Sequence, residues 1–210
     1  MAIEHLEFLV EERSMKVALT VLLKKIVPGV PAEIHAFQGK PDLLGKLDRY
    51  LAGYRHWISD ASAAVVVVVD RDSENCHELK GQLEAAAQNA GLATPSTRGY
   101  EPTRVLNRIA VHELEAWFIG DVSALVNAYP GVPSTLGQRR GFRDPDSIAH
   151  AWERLQTILN EAGHHRGGLQ KLRAAQDIAA YMDVENNRSV SFQQFRDGLR
   201  RLVEETAHAA

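Results

Sequence analysis

The sequence AAVVVVVDRD occupies residues 63–72 and is the strongest structural signal in the chain. Five consecutive valines, Val65 to Val69, favour an extended backbone because a β-branched side chain packs well on a pleated surface. A run of this kind without alternation between apolar and polar residues is typical of a strand buried on both faces of a parallel sheet. The run ends in Asp70-Arg71-Asp72, so two carboxylates follow the most buried strand directly.

Weaker patterns of the same kind surround this strand. Residues 3–10, 32–37, 94–98 and 105–111 are short apolar segments that predict strands. Between them, residues 14–26, 42–54 and 74–90 carry apolar side chains at helical spacing. Strands that alternate with helices predict an α/β fold, with a mostly parallel sheet and helices on both faces.

The second half of the chain has a different pattern. Strand signals stop after about residue 121, and residues 147–162, 169–181 and 192–207 are helical by periodicity. We therefore expect an α/β core over residues 1–125 and a helical C-terminal portion, residues 126–210, packed on that core.

Composition limits the function. The 210 residues include 24 basic and 27 acidic side chains, a formal net charge of −3, which excludes a nucleic-acid binder that depends on overall positive charge. The single cysteine, Cys76, excludes a disulfide framework and a site of several thiolates, and it fits a cytoplasmic location. No targeting segment is recognisable. A membrane helix needs about 20 apolar residues, and the longest such run, residues 63–69, is far shorter, so no membrane association is expected.

Carboxylates follow three of the predicted strands. They are Glu11 and Glu12, then Asp70 and Asp72, then Glu113 and Glu115. In an open parallel sheet the carboxyl ends of the strands share one edge, where functional groups gather. Asp70 and Asp72 would project to the same side if the backbone stayed extended, and Mg²⁺ prefers such hard oxygen ligands. Each pair also has a purely structural interpretation, since acidic residues stabilise the N-terminus of a helix.

Four segments resemble a known family. FLVEERSM at 8–15, FQGKPDLL at 37–44, VVVVVDRD at 65–72 and RIAVHELEAWFIGD at 108–121 look like a family of small bacterial Toprim-like proteins of uncharacterised function, often found beside an ATPase partner. That family is related to the Toprim domains of overcoming-lysogenization-defect nucleases. The resemblance covers about residues 3–130, and its last segment is the most specific.

The resemblance implies metal-dependent phosphodiester chemistry with Mg²⁺ or Mn²⁺ as cofactor. Glu11 would be the general acid or base, Asp70 and Asp72 would bind the metal, and Glu113 and Glu115 would complete its ligand shell. Many Toprim domains have glycine directly after the glutamate, whereas this chain has Glu12, so substrate access near Glu11 would differ.

Basic residues supply the remaining candidates. Lys40, in Gln38-Gly39-Lys40 after the second predicted strand, would hold a substrate phosphate as a point charge. The densest basic stretch contains Arg139, Arg140 and Arg143, which would bind a nucleic-acid backbone or an acidic partner surface.

The leading interpretation is therefore a Toprim-like, metal-dependent nuclease-type protein that acts on nucleic acid, as the effector of an ATPase-coupled bacterial system such as phage defence. A catalytically silent Toprim-like interaction subunit is the main alternative. A haloacid-dehalogenase-type phosphate hydrolase also uses an Asp-x-Asp motif, but that motif normally ends the first strand of the core.

Overall fold

The computed structural model describes residues 3–58, 62–97, 99 and 102–207. Its strands are β1 (His5–Val10), β2 (Ala32–Ala36), β3 (Ala63–Asp70) and β4 (Val105–Ala110). The helices are α1 (Arg13–Ile26), α2 (Lys40–Ile58), α3 (Cys76–Asn89), α4 (Leu114–Gly120), α5 (Val122–Ala128), α6 (Ala151–Glu161), α7 (Lys171–Tyr181) and α8 (Val190–Ala207), with short 3-10 turns at Leu136–Gln138 and Pro145–Ser147.

All four strands are parallel and lie in the order β2-β1-β3-β4. The valine strand β3 is central, and Val65 to Val69 are fully buried. Val66 and Val68 pack into one apolar cluster with α1 and the C-terminal helices, whereas Val65, Val67 and Val69 pack against α2 and α3. The predicted α/β fold, a parallel sheet covered by helices on both faces with further helices at the C-terminus, is confirmed.

The strand expected at residues 94–98 is absent from the described part of this segment, and that prediction is wrong. Residues 95–97 form a turn, closed by a hydrogen bond from the Thr97 amide to the Thr94 carbonyl (3.1 Å), while Arg98 lies outside the described residues. The hydroxyls of Thr94 and Ser96 each donate to Glu84 Oε2 on α3 (2.5 Å). Short hydroxyl side chains favour such local bonds over a strand ladder.

The C-terminal helices share an apolar core with the α/β part. Trp117 of α4 contacts Phe192 and Phe195 of α8, with ring centroids 5.4 and 5.1 Å apart. The Trp117 indole N–H donates to the Ser191 hydroxyl (2.9 Å), so the polar atom of this buried ring is satisfied. None of the helices in the described ranges has the length and apolar character needed to cross a membrane.

Lys25 fastens α7 to α1. Its ammonium donates to the carbonyls of Ala179, Ala180 and Met182 at 3.0, 2.8 and 2.9 Å, where α7 ends and its carbonyls lack helical partners.

We expect Lys25→Met to lower the free energy of unfolding by about 1–3 kcal/mol, because three charge-assisted hydrogen bonds are lost while the apolar stem is retained. Urea unfolding measures the change. The neighbouring, exposed Lys24→Met is the control, and an equal effect of both substitutions would contradict this role.

Candidate functional site

The carboxyl edge of the sheet brings Glu11 and Asp70 together. The register pairs Val10 of β1 with Val68 of β3, so Glu11 follows β1 next to the end of β3. The Asp70 backbone N–H donates to Glu11 Oε2 at 3.2 Å. Burial raises the pKa of Glu11, and the Asp70 amide and Lys40 oppose this shift only in part.

Asp70 is a deeply buried acid of this edge. Only 7% of the residue is exposed, and its Oδ1 atom has no hydrogen-bond partner among the described residues. Burial raises the pKa of Asp70 well above its usual range, and the negative charges of Glu11 and Glu115 raise it further. A buried carboxylate oxygen without a partner is costly, so it calls for a ligand or a proton.

Glu115 has the same character. It lies in the first turn of α4, is 2% exposed, and its Oε2 atom has no partner in the part of the chain that is described. Burial raises the pKa of Glu115 to about 7 despite the opposing charge of Lys171. Asp70 and Glu115 therefore present two buried oxygens of the type that binds hard cations.

Lys171 is a residue of this site that the sequence did not reveal. It begins α7, and its pKa is raised because the charges of Glu115, Glu12, Asp70 and Glu113 outweigh the effect of burial. Its ammonium lies 3.7 Å from Glu12 Oε1 and 5.7 Å from the centroid of the Trp152 ring. No motif surrounds Lys171, and only the docking of α7 places its charge beside carboxylates far away in sequence.

The prediction that Asp70 and Asp72 project to the same side is wrong. The backbone does not stay extended after β3, because Asp72 has a left-handed φ of 51°. The Asp72 side chain is 48% exposed, and its Oδ2 atom accepts a hydrogen bond from Lys40 Nζ (2.7 Å). One aspartate therefore points into the buried edge, and the other is held at the surface by a lysine.

The Lys40 side chain is buried and forms ion pairs with Asp72 and Glu74. Only 5% of it is exposed, and Nζ donates to Asp72 Oδ2, to Glu74 Oε1 (2.9 Å) and to the Arg71 carbonyl (3.3 Å). Burial lowers the pKa of Lys40, but the hydrogen bonds to Asp72 and Glu74 outweigh burial and raise it. A phosphate would have to compete with these two carboxylates.

Glu113 lies on a small cleft next to the acidic edge. The cleft, of about 240 Å³, is lined by Asp72, Ser73, His112, Glu113, Ala149 and His150. Glu113 Oε2 accepts from the Trp152 backbone N–H (2.8 Å) at the start of α6, while burial raises its pKa. Like Asp72, His112 and His150 have left-handed φ values, 62° and 53°. Such backbone strain in non-glycine residues is a frequent feature of functional sites.

The three arginines form no ion pair with these carboxylates in the part of the chain that is described. Arg139, Arg140 and Arg143 are exposed on a loop that Arg188 fastens through the carbonyls of Gly137, Phe142 and Arg143. Arg188 Nη2 also lies 3.4 Å from the carbonyl of Ile119, near the end of α4. Glu113 precedes the other end of α4, about 9 Å away along the helix axis.

The carboxylates of this edge supply some, but not all, of the oxygen ligands that a hard cation needs. Asp70 Oδ1 and Glu115 Oε2 are buried and unpartnered, and both acids feel the charges of neighbouring carboxylates. Within the described residues, however, no three His, Cys, Asp or Glu side chains are grouped closely enough to hold a metal ion. Two carboxylate oxygens are thus without partners, and a cation bound there would need further ligands from water and substrate phosphate, which Mg²⁺ sites commonly use.

Comparison with known protein families matches most of the chain to a family of unknown function. The family described as "Domain of unknown function (DUF4276)" matches residues 10–200. The matched range includes α7, so Lys171 lies within it together with Glu11, Asp70 and Glu115. No curated protein and no solved structure matches the chain.

Proposed function

The chain belongs to the DUF4276 family, and we propose that it is a Toprim-like protein that cleaves phosphodiester bonds in nucleic acid with the help of Mg²⁺ or Mn²⁺. The observation that carries this proposal is the pair of buried, unpartnered carboxylate oxygens, Asp70 Oδ1 and Glu115 Oε2, at the carboxyl edge of the sheet. The wider role, a cytoplasmic effector that works with an ATPase partner in a bacterial system such as phage defence, rests on the family resemblance alone.

Asp70 and Glu115 would hold the cation, and Asp72 and Glu113 are the further predicted ligands. When bound, the cation polarises the phosphoryl oxygens and lowers the pKa of water. Asp72 would have to leave Lys40 in order to contribute, and this exchange would leave one position on the Lys40 ammonium open to a substrate phosphate, while Glu74 stays bound.

Glu11 is suited to moving a proton. Its Oε2 atom is fixed by the Asp70 amide, whereas Oε1 accepts no hydrogen bond from the described residues. Because burial raises its pKa, Glu11 is a better proton acceptor near neutral pH than an exposed glutamate.

The proposed function is tested by incubating the purified chain with single- and double-stranded DNA and RNA in Mg²⁺, in Mn²⁺ and in EDTA. Cleavage that needs the metal supports the proposal, and the absence of cleavage in every substrate and metal contradicts it.

A silent interaction subunit is favoured by a different observation. Lys40 and Lys171 already place positive charges beside the acids. If these lysines balance the negative charge of the carboxylates, the folded protein needs no metal at this edge.

Lys171→Met separates the two functions. We expect it to lower the free energy of unfolding by about 1 kcal/mol at pH 8 in EDTA, since a half-buried cation beside several carboxylates is lost. If the edge is a cation site, Mn²⁺ should restore stability to Lys171→Met and stabilise it more than the wild type. Thermal unfolding with and without Mn²⁺ measures this, with the exposed Arg173→Met in the same helical turn as control. Destabilisation that Mn²⁺ does not reverse would support the silent subunit.

A further inference from the structure

The outer edge of β2 offers unpaired backbone groups. β2 is the last strand of the sheet and, among the described strands, pairs with β1 alone. The Pro31 carbonyl accepts from Leu6 (3.0 Å) and the Phe37 amide donates to Val10 (2.9 Å), so odd-numbered residues of this segment face β1. Because backbone direction alternates along a strand, Ala32, Ile34 and Ala36 direct their N–H and C=O groups away from the sheet. These groups have no hydrogen-bond partner among the described residues.

Two cavities extend along this edge. One, of about 520 Å³, is lined by residues 27–34 together with Leu23 and other residues of α1, and the other, of about 660 Å³, reaches Phe37 and includes the half-exposed Leu172. Both cavities are lined by Lys16, Thr20, Glu33 and Ile34. The edge is thus bordered by a partly apolar groove.

A basic stripe on α1 follows the same groove. Arg13, Lys16 and Lys24 are exposed, line the two cavities, and lie on one helix face with Thr20 between them. None of the three basic side chains forms an ion pair within the described residues. From Arg13 to Lys24 the helix rises about 16 Å, and β2 extends about 13 Å from Ala32 to Ala36. The stripe is therefore long enough to accompany the whole strand edge.

We propose that the β2 edge binds an extended segment of another protein, with alternating apolar and acidic side chains, as an added strand. Backbone hydrogen bonds to Ala32, Ile34 and Ala36 would give affinity, and the basic stripe would select acidic side chains. This inference does not depend on the proposed function, because no residue of the acidic site takes part.

Charge and hydrogen bonding favour this occupant over others. A second copy paired through the same edge would bring Arg13, Lys16 and Lys24 towards their own equivalents, since both α1 helices would lie on the same face across the two-fold axis. A nucleic acid would satisfy the positive charges, but it offers no regular ladder of donors and acceptors for an open strand edge or for the apolar groove.

The experiment uses a fluorescent ten-residue peptide that alternates valine or threonine with glutamate. Anisotropy with the full chain is expected to show saturable binding that weakens with salt, and hydrogen exchange should show new protection at the amides of Ala32, Ile34 and Ala36. Two variants test the mode of binding. Ala36→Pro removes one outward N–H, and Lys16→Glu/Lys24→Glu reverses the charge at exposed positions; each should weaken binding about tenfold or more.

Controls distinguish the other occupants. Arg140→Glu/Arg143→Glu, a charge reversal at exposed positions that line neither cavity, should bind the peptide normally. A peptide with lysine in place of glutamate should not bind. The proposal is overturned if the glutamate peptide fails to bind, or if it binds without protecting the β2 amides. It is also overturned if the free chain is a dimer whose β2 amides are already protected. Tight binding of a single-stranded oligonucleotide that Lys16→Glu/Lys24→Glu abolishes, without amide protection, would assign the stripe to nucleic acid instead.

Discussion

Glu115→Gln is expected to stabilise the metal-free protein by about 3 kcal/mol above pH 7. The pKa of this carboxyl lies at about 7 in the folded protein, against an ordinary value of 4.5. At about 1.36 kcal/mol for each pH unit, the carboxylate costs the folded state about 3 kcal/mol once it is ionised. Glutamine occupies the same volume without the charge, so the cost disappears.

The sign of the pH dependence follows from the raised pKa. Between pH 4.5 and 7 the folded protein retains a proton that the unfolded chain has released, so the stability of the wild type falls as the pH rises through this range. The stabilisation by Glu115→Gln should therefore be small near pH 4.5 and largest above pH 7. Urea unfolding in EDTA at pH 5 and pH 8 measures both values.

Glu78→Gln is the matched control for this substitution. Glu78 also lies in the first turn of a helix, α3, but it is exposed. Its replacement should change stability by only a few tenths of a kcal/mol and in the destabilising direction, because an acid at a helix N-terminus is mildly favourable. If Glu115→Gln were destabilising at pH 8 in EDTA, the account of a strained acidic edge would be wrong.

Asp70→Asn is expected to reduce metal-dependent cleavage by about 100-fold or more. The substitution keeps the volume of the side chain but replaces the ligand-type Oδ1 carboxylate oxygen with a neutral amide. In the cleavage assay, the loss should appear at saturating Mn²⁺ as well as at low Mn²⁺. The folded protein should be at least as stable in EDTA as the wild type, because a buried charge has been removed.

Asp48→Asn, an exposed position on α2, is the control and should leave cleavage unchanged. Cleavage by Asp70→Asn within a few-fold of the wild-type rate would exclude Asp70 as a metal ligand, and the proposed chemistry would then lose its main support.

The sequence predicted the fold well where a local pattern determines it. The valine run predicted the buried central strand because β-branched residues without polar alternation fit only a strand covered on both faces. The failure at 94–98 has a physical cause, since the hydroxyls of Thr94 and Ser96 bind Glu84 and hold the backbone in a turn.

The candidate site was predictable only in part. Glu11, Asp70 and Glu115 follow strands whose carboxyl ends must share an edge, so their proximity could be expected from the topology. The role of Lys171 depends on how α7 packs in three dimensions, which no local pattern encodes. The pairing of Lys40 with Asp72 depends on the left-handed backbone at Asp72. Glycine is the residue that usually indicates this conformation in a sequence, and position 72 has none.

Calorimetric titration of Mn²⁺ tests the central claim most directly, because it needs neither substrate nor partner. The wild type should bind Mn²⁺ saturably and release protons on binding, since Asp70 and Glu115 have raised pKa values and must lose their protons to act as ligands. Asp70→Asn and Glu115→Gln should abolish binding, and Glu78→Gln should retain it. The same weak heat in all four proteins, or saturable binding that survives both site substitutions, would contradict a cation site at this edge of the sheet.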